Sequence, residues 1–268
     1  MIKKISILGC GWLGLPLAKA FISKGSRVKG STTSVEKLTF LKDFEIESFL
    51  ISLSANAIEG DIHSFLEDSE VLIIDIPPKL RGENKEDFIG KINMLIPFIE
   101  KQKVKKVLFI SSTSVYADGN EVITETSPAH PDTESGRQLL EVEQLLLNNP
   151  NFETTVLRFG GLIGEDRHPV KFLSGRENIK NPKAPINLIH QVDCIGIILK
   201  ILETNCWGET FNAVAPYHPT KEAYYTHKAT AMNLALPQFT SNSLSVGKTV
   251  LSNKIEQVLG YKFRNVDL

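Results

Sequence analysis

The chain has 268 residues, a formal net charge of -1 and a hydrophobic fraction of 42%. This length fits one α/β core with a smaller appended lobe, and it is long enough to bury a sizeable core without disulfides or structural metals. A net charge close to zero argues against nucleic acid or an anionic membrane as the main partner.

The first predicted element is a short buried strand from Ile2 to Leu8, and a glycine-rich turn and an amphipathic helix follow it. The turn fits GxGxxG between a strand and a helix, which is the setting that a dinucleotide-binding site needs. The first glycine permits the tight turn, the second lets the backbone approach a pyrophosphate, and the third lets the helix pack on the strand. The predicted cofactor contacts in this turn are Gly9, Gly11, Trp12, Leu13 and Gly14.

The second predicted strand runs from Arg27 to Thr33, and its end carries hydroxyl side chains instead of a carboxylate. Sites that prefer NAD usually have an acidic residue about 20 residues after the glycine motif. We therefore predict NADP as the cofactor, with NAD as the alternative. A solvated loop that caps the next helix is compatible with the same residues. The predicted contacts to the 2′-phosphate are Ser31, Thr32, Thr33, Ser34 and Lys37.

Strands and helices continue to alternate up to residue 159. Further strands are predicted at 44–52, 71–76, 104–111 and 154–159, and helices at 87–102 and 133–147. This alternation predicts an α/β fold, a Rossmann-type doubly wound parallel sheet of about seven strands. The ends of the fourth and fifth strands add the predicted cofactor contacts Ile76, Pro77 and Ser111.

The pattern becomes irregular after Gly160. Residues 161–186 are rich in Gly, Pro, Lys and Arg, and a helix at 193–202 and a strand at 210–214 follow. We therefore expect a Rossmann core of residues 1–160, completed by about 187–214, and a small C-terminal substrate lobe taken mostly from 161–268.

Five short segments carry a resemblance to a known family. They are Ser111-Ser112-Thr113-Ser114-Val115-Tyr116, Leu157-Arg158-Phe159-Gly160-Gly161 with Gly164, Ile189-His190-Gln191-Val192-Asp193, Phe211-Asn212-Ala213 and Leu259-Gly260-Tyr261. With these segments in this order, the chain resembles the extended short-chain dehydrogenases/reductases, also called NAD-dependent epimerase/dehydratases. The family's Val-Tyr-Gly is interrupted here, since Ala117 and Asp118 precede Gly119.

The resemblance implies an altered catalytic set. The family uses a Ser or Thr with a YxxxK pair, and Ser112 matches the serine. The tyrosine is expected roughly 25 residues further on, where residue 137 is arginine and residue 141 is glutamate. No YxxxK lies near, so the chain resembles atypical members that keep the cofactor fold and lose this pair. The predicted non-standard catalytic residues are Ser112, Tyr116 and Arg137.

Two of these residues have an alternative role. Tyr116 is equally compatible with the edge of the core. An arginine keeps its proton at working pH, so Arg137 cannot act as an acid/base. We predict instead that it anchors an anionic group, oriented by Glu141 one helical turn away. An exposed helix ion pair without a function is the alternative.

The loop-rich lobe supplies the predicted substrate contacts, because the resemblance implies that the substrate lies there. His168, Lys171 and Arg176 suit an anionic or phosphorylated ligand, and a solvated surface is the alternative. Two functions stay open. One is an NAD(P)-dependent oxidoreductase, epimerase or dehydratase for a small polar metabolite, such as a nucleotide sugar. The other is an NADP(H)-binding regulator or scaffold without turnover.

The remaining expectations concern surroundings and partners. The cysteines Cys10, Cys194 and Cys206 form no CxxC pair, so we expect reduced thiols and no metal site. No apolar run approaches the roughly 18 residues of a membrane span, and no signal peptide opens the chain. We therefore expect a cytoplasmic protein that binds no nucleic acid and no membrane. Its expected partner is a small-molecule substrate, and a homodimer stays open.

Overall fold

A computed structural model describes residues 2–80, 86–240 and 244–266 of the chain. Within these ranges, seven strands form one parallel sheet, and we number them β1 to β7. They are β1 (Lys4–Leu8), β2 (Arg27–Thr32), β3 (Glu47–Leu50), β4 (Val71–Ile74), β5 (Lys106–Ser112), β6 (Glu153–Phe159) and β7 (Thr210–Ala213).

The order of the strands across the sheet is β7-β6-β5-β4-β1-β2-β3. The order reverses at β1, so the chain winds outward on both sides of it. Ile5 of β1 lies opposite Val28 of β2 on one side and opposite Val71 of β4 on the other. The prediction of a doubly wound parallel sheet with about seven strands is confirmed.

The described ranges also contain helices, most of which cover the two faces of this sheet. They are α1 (Gly14–Ser23), α2 (Glu36–Lys42), α3 (Ile62–Leu66), α4 (Phe88–Lys101), α5 (Glu134–Leu147), α6 (Val170–Leu173), α7 (Gln191–Thr204), α8 (Lys221–Ala231) and α9 (Asn253–Leu259). Apolar residues of α1, α2, α7 and α9 form one buried cluster with the sheet. Apolar residues of α3, α4 and α5 form a second cluster.

Shorter elements complete the described chain. Residues Ser52–Leu53 pair antiparallel with Ile58–Glu59, whereas the two other short pairs are parallel. A single 3-10 turn follows β5 directly. The parallel pairs are Gly161–Ile163 with Leu188–His190 and Val122–Ile123 with Thr249–Val250, and the turn is Thr113–Val115.

The segments after Gly160 contribute to two different cores. The helix α7 and the strand β7 join the main sheet and its first cluster. Ile163, Val170 and Leu188 pack instead with Tyr224 and Tyr225 of α8 in a small separate cluster. The boundary at residue 160 and the role of the lobe stay predictions, but these segments have a small hydrophobic core of their own.

Candidate functional site

The glycine turn between β1 and α1 is held in place by the neighbouring strands. Gly9 has a φ of +105°, and a Cβ built on it would lie 2.3 Å from the Asp75 carbonyl oxygen. Its N–H donates to the Ser31 hydroxyl at 2.9 Å, and the Cys10 N–H donates to the Ser31 carbonyl at 2.7 Å. The first glycine is therefore required by the turn itself.

The other two glycines of the motif have opposite surroundings. A Cβ on Gly14 would lie 2.1 Å from the Gly9 carbonyl oxygen, so the helix can approach the turn only without a side chain there. A Cβ on Gly11 would meet no atom within 4 Å. The protein therefore packs against Gly14 but leaves the space beside Gly11 open.

That open space belongs to a cavity of about 290 Å³ at the carboxyl ends of the strands. In a doubly wound sheet, ligands bind at this edge, next to the strand where the order reverses. Most of the predicted cofactor contacts line the cavity. They are Gly9, Gly11, Ser31, Thr32, Thr33, Lys37, Ile76 and Pro77.

The remaining predicted cofactor contacts lie outside this cavity lining. The Trp12 indole N–H donates to the Asp166 carboxylate at 2.8 Å, and the Arg167 guanidinium lies 5.0 Å from its ring centroid. Leu13 and Gly14 are buried in the packing of α1. The Ser34 N–H donates to Thr32 Oγ1 at 3.1 Å. Trp12 thus connects the glycine turn to the lobe.

Charged groups around the cavity come from several elements. Lys37 stands exposed on α2, near the end of β2. Glu86 forms ion pairs with Lys79 at 3.5 Å and with Lys91. Asp75 follows β4 directly and contributes the second carboxyl group of the lining. The sequence interpretation did not single out Lys79, Glu86, Lys91 or Asp75, because only the fold brings them to the glycine turn.

Two titratable groups beside the turn have raised pKa values. Burial raises the pKa of the Asp75 carboxyl to about 8, and a hydrogen bond from the Gly14 N–H opposes this shift. Burial also raises the pKa of the Cys10 thiol to about 12, and the nearby Asp75 adds to it. Cys10 is therefore a buried, inert thiol at neutral pH.

A buried polar network lies beneath the end of β5. Arg158 on β6 donates to both carboxylate oxygens of Glu143 on α5, at 2.5 to 3.1 Å. Ser111 donates to the same carboxylate at 2.5 Å. Arg158 also donates to the Tyr116 hydroxyl at 2.6 Å, and this hydroxyl donates to Asn212 at 3.0 Å. The network joins α5, β5, β6 and β7 at one end of the sheet.

The network decides where Ser111 and Tyr116 lie. Both are buried, with Tyr116 only 1% exposed, and their hydroxyl groups are held by protein partners. Desolvation raises the pKa of Tyr116 above its ordinary value, and the positive charge of Arg158 offsets only part of this rise. The structure therefore places Tyr116 at the edge of the core, which is the alternative that the sequence left open, and its catalytic role stays a prediction.

The other predicted catalytic residues occupy different surroundings. The Ser112 hydroxyl accepts the Ser114 N–H at 3.1 Å and is partly exposed. Arg137 has a side chain that is 65% exposed, and it forms an ion pair with Glu134 rather than with Glu141. No hydrogen bond joins Ser112, Tyr116 and Arg137 to one another in the described part of the chain.

Helix α5 packs directly on the segment that follows β5. A Cβ on Gly136 would lie 2.2 Å from the Ser114 carbonyl oxygen, so the helix passes very close to the 3-10 turn. Between Glu134 and Leu147, this helix contains neither tyrosine nor lysine. The absence of the family's usual acid/base pair from the site stays a prediction.

One of the predicted substrate residues, His168, is held by a neighbouring ring in the lobe. His168 Nε2 lies 3.0 Å from the Tyr224 hydroxyl, and the two rings are stacked. Burial lowers the pKa of His168, and Lys228 and Lys171 lower it further. Lys171 and Arg176 are exposed. The sequence analysis did not predict a role for Tyr224, because it is far from His168 along the chain.

No group of three His, Cys, Asp or Glu side chains in the described ranges is arranged to hold a metal ion. None of their helices combines the length and the apolar character that crossing a membrane requires. The cytoplasmic location and the homodimer stay predictions.

Comparisons with known proteins point to one family. A model described as the NAD dependent epimerase/dehydratase family matches residues 84–212. The chain is 33% identical to Protein YeeZ of Escherichia coli over 269 residues, which cover 99% of this chain and 97% of the relative. A UDP-glucose 4-epimerase of Dictyostelium discoideum is 31% identical over 120 residues, 40% of this chain and 35% of the relative.

Solved structures share the fold over nearly the whole chain. A functionally unknown conserved protein from Silicibacter pomeroyi is 21% identical, with a TM-score of 0.80 over 99% of this chain and 95% of that one. The UDP-glucose 4-epimerase of Thermotoga maritima, solved with UDP-glucose, is 17% identical, with a TM-score of 0.79 over 97% and 94%. At these identities, the likeness supports the fold alone.

Proposed function

The chain belongs to the NAD-dependent epimerase/dehydratase family, and from this premise we propose that it binds NADP(H) and acts on a small phosphorylated metabolite. The observation that carries this proposal is the cavity beside Gly11, since a Cβ there would meet no protein atom within 4 Å. A glycine that the protein does not need for its own packing is best explained by a ligand that approaches its backbone.

The residues around the cavity suit a dinucleotide. The amino end of α1 offers N–H donors and a partial positive charge to a diphosphate. Ser31 and Thr32 lie at the end of β2, where the adenosine ribose of a dinucleotide is expected. When bound, the nicotinamide ring supplies or accepts a hydride. This chain's own task would be to hold the diphosphate at the glycine turn and the ribose at β2.

The end of β2 favours NADP(H) over NAD(H). Its last residues carry hydroxyl groups, Lys37 stands nearby, and no carboxylate occupies this stretch until Glu36. A 2′-phosphate is accepted by such donors, whereas a carboxylate would repel it. Because no arginine is present at this point, the expected preference is modest, about 10- to 100-fold, or roughly 1.4 to 2.8 kcal/mol.

A nucleotide sugar or another phosphorylated metabolite is the proposed substrate. Some structural neighbours are described with such ligands, including the Thermotoga maritima enzyme with UDP-glucose. Arg137 on α5 and Lys171 and Arg176 in the lobe have exposed side chains, and the pair of Arg137 with Glu134 is itself open to solvent, so all three can reach a phosphate. Ser112 is the partly exposed hydroxyl at the end of β5 and would orient the substrate.

A second candidate function is favoured by helix α5. Since this helix has neither tyrosine nor lysine, the proton donor of a standard member is missing from it. A protein that binds NADP(H) without turnover, as a regulator or scaffold, needs only the cavity. Under either function, we expect hydride transfer on simple alcohols to be absent or very slow.

Calorimetric titration tests the cofactor proposal. Wild type should bind NADPH about 10- to 100-fold more tightly than NADH. Replacing Lys37 by alanine should weaken NADPH binding and leave NADH binding unchanged. Lys42, an exposed lysine of the same helix outside the cavity lining, provides the matched control Lys42→Ala. Equal affinities for the two cofactors would refute the NADP assignment.

Turnover distinguishes the two candidate functions. Nucleotide sugars incubated with the protein and NADP⁺ should give a new sugar product or a change in absorbance at the nicotinamide band. Cofactor binding without any product from a broad panel of phosphorylated sugars would favour the regulator.

A further inference from the structure

Asp75 lies where β4 meets the glycine turn. Its N–H donates to the Leu8 carbonyl at 2.9 Å, and its own carbonyl would lie 2.3 Å from a Cβ on Gly9. Its carboxyl oxygen Oδ2 would lie 3.2 Å from a Cβ on Gly14, and the Gly14 N–H donates to this carboxyl. The carboxyl group therefore sits at the amino end of α1, on the wall of the cavity.

The position creates a conflict of charge. The proposed function brings the cofactor diphosphate to the same helix end, because its N–H groups and dipole favour an anion. An ionised Asp75 would repel that diphosphate in a partly desolvated site. An uncharged carboxylic acid has the opposite effect, since its O–H is a donor for a phosphate oxygen.

The surroundings of Asp75 favour the uncharged form. No ion pair between described residues includes it, and the cavity lysines Lys79 and Lys91 are already paired with Glu86. Asp75 also interacts electrostatically with two thiols, Cys10 on the turn and Cys194 on α7. Both thiols are buried, and neither supplies a positive charge. Lys37 also lines the cavity, from α2. Burial without a cation raises the pKa of Asp75 to about 8.

We infer that Asp75 binds the cofactor diphosphate as an uncharged carboxylic acid, donating its O–H to a phosphate oxygen while it accepts the Gly14 N–H. This inference rests on the proposed binding of the cofactor at the glycine turn. It makes binding depend on pH, because a protein in which Asp75 has ionised must take up one proton before the diphosphate can bind.

The test is a calorimetric titration with NADPH between pH 7 and 9.5. Wild-type affinity should be nearly constant up to about pH 8 and then fall, approaching about tenfold for each further pH unit. The variant Asp75→Asn keeps a donor that does not ionise, so its affinity should stay nearly constant. Titration at pH 9 in two buffers of different ionisation enthalpy should show uptake of about one proton by wild type and none by the variant.

Controls separate Asp75 from other groups. Burial lowers the pKa of Lys91, which makes Lys91 the other group whose titration could produce such a slope; Asp75→Asn retains Lys91, so a slope caused by Lys91 would persist in that variant. Asp68→Asn removes an exposed carboxylate that pairs with Lys4, far from the cavity lining, and it should keep the wild-type profile.

The outcomes distinguish a failure of the proposed role of Asp75 from a failure of the proposed function. A flat wild-type profile with tight binding of NADPH would overturn the role of Asp75 and leave the proposed function intact. A slope that persists in Asp75→Asn would assign it to another group and would also overturn this role. If neither NADPH nor NADH binds to the folded wild-type protein at pH 7, the proposed function fails, and this inference fails with it.

Discussion

Substitution of Gly11 by valine should separate cofactor binding from folding. The space beside Gly11 contains no protein atom within 4 Å of an added Cβ, and its φ lies outside the range that strains other residues. The folded protein should therefore accept the side chain. We expect the free energy of unfolding to change by less than about 1 kcal/mol, the size of effect usual for glycine replacements at compatible positions.

Binding should respond very differently. Gly11 lines a cavity of about 290 Å³ whose proposed occupant must approach the backbone at this residue. We expect the affinity for NADPH to fall by at least about 100-fold, which corresponds to about 2.8 kcal/mol. Thermal unfolding followed by circular dichroism measures the stability, and calorimetric titration measures the affinity.

Gly14→Ala is the matched control within the same motif. Its Cβ would lie 2.1 Å from the Gly9 carbonyl oxygen, so this smaller substitution should destabilise the fold through backbone displacement. The contrast is the decisive result, because a motif glycine required for packing and one required for a ligand should fail in different assays. Normal NADPH affinity in a folded Gly11→Val variant would refute this placement of the diphosphate.

Three further predictions concern charged residues. Arg137→Ala should change the free energy of unfolding by less than about 0.5 kcal/mol, because its pair with Glu134 is exposed, yet weaken binding of UDP-glucose about tenfold; unchanged binding would remove the anchoring role. Glu143→Gln leaves Arg158 buried and uncompensated, so urea unfolding should show a loss of about 3 to 5 kcal/mol. Folding raises the pKa of Asp75, so the folded state retains a proton that the unfolded state has lost; wild-type stability should fall as pH rises from about 4 to about 8 and then level off, and Asp75→Asn should lack this component.

The strands of the central sheet could be predicted because their sequences are short, continuous apolar runs. Val71–Ile74 and Val107–Phe109 are fully buried, as expected when helices cover both faces of a parallel sheet. The predicted end of the fourth strand was two residues too long. Ile76 extends the apolar pattern of the strand, but the pairing with β1 ends at Ile74, and Asp75 and Ile76 line the cavity.

The role of a residue on helix α5 could not be predicted by counting along the chain. A spacing of roughly 25 residues from Ser112 carries an error of a few residues, and each residue turns the helix by about 100°. The face of α5 that packs inward contains Gly136, Leu139 and Glu143, whereas Arg137 points to solvent. The i,i+4 relation to Glu141 was a sound local inference, but Glu134 one turn earlier is the residue that pairs with Arg137.

The other features of the site that the sequence did not predict depend on contacts between distant parts of the chain. Tyr116 and Arg158 are 42 residues apart, and Tyr116 and Asn212 are 96 apart, yet their side chains meet beneath the end of the sheet. No local pattern marks such a pair. The same limitation hid Tyr224 as the partner of His168. A polar residue at a strand end can therefore be recognised from sequence, but whether protein or ligand satisfies it cannot.

That distinction separates two carboxyl groups at this end of the sheet, the buried Glu143 and the partly exposed Asp75. The Glu143 carboxylate accepts hydrogen bonds from Arg158 and Ser111, so it is satisfied within the protein. Its role is to hold the segment after β5 in place. Asp75 receives one N–H from Gly14, no ion pair among the described residues includes it, and it lines the cavity. A buried charge must be neutralised by a partner or by a proton. Because Asp75 has only the proton, it keeps an O–H that a ligand can use, and this makes it the stronger candidate for a residue that contacts the cofactor.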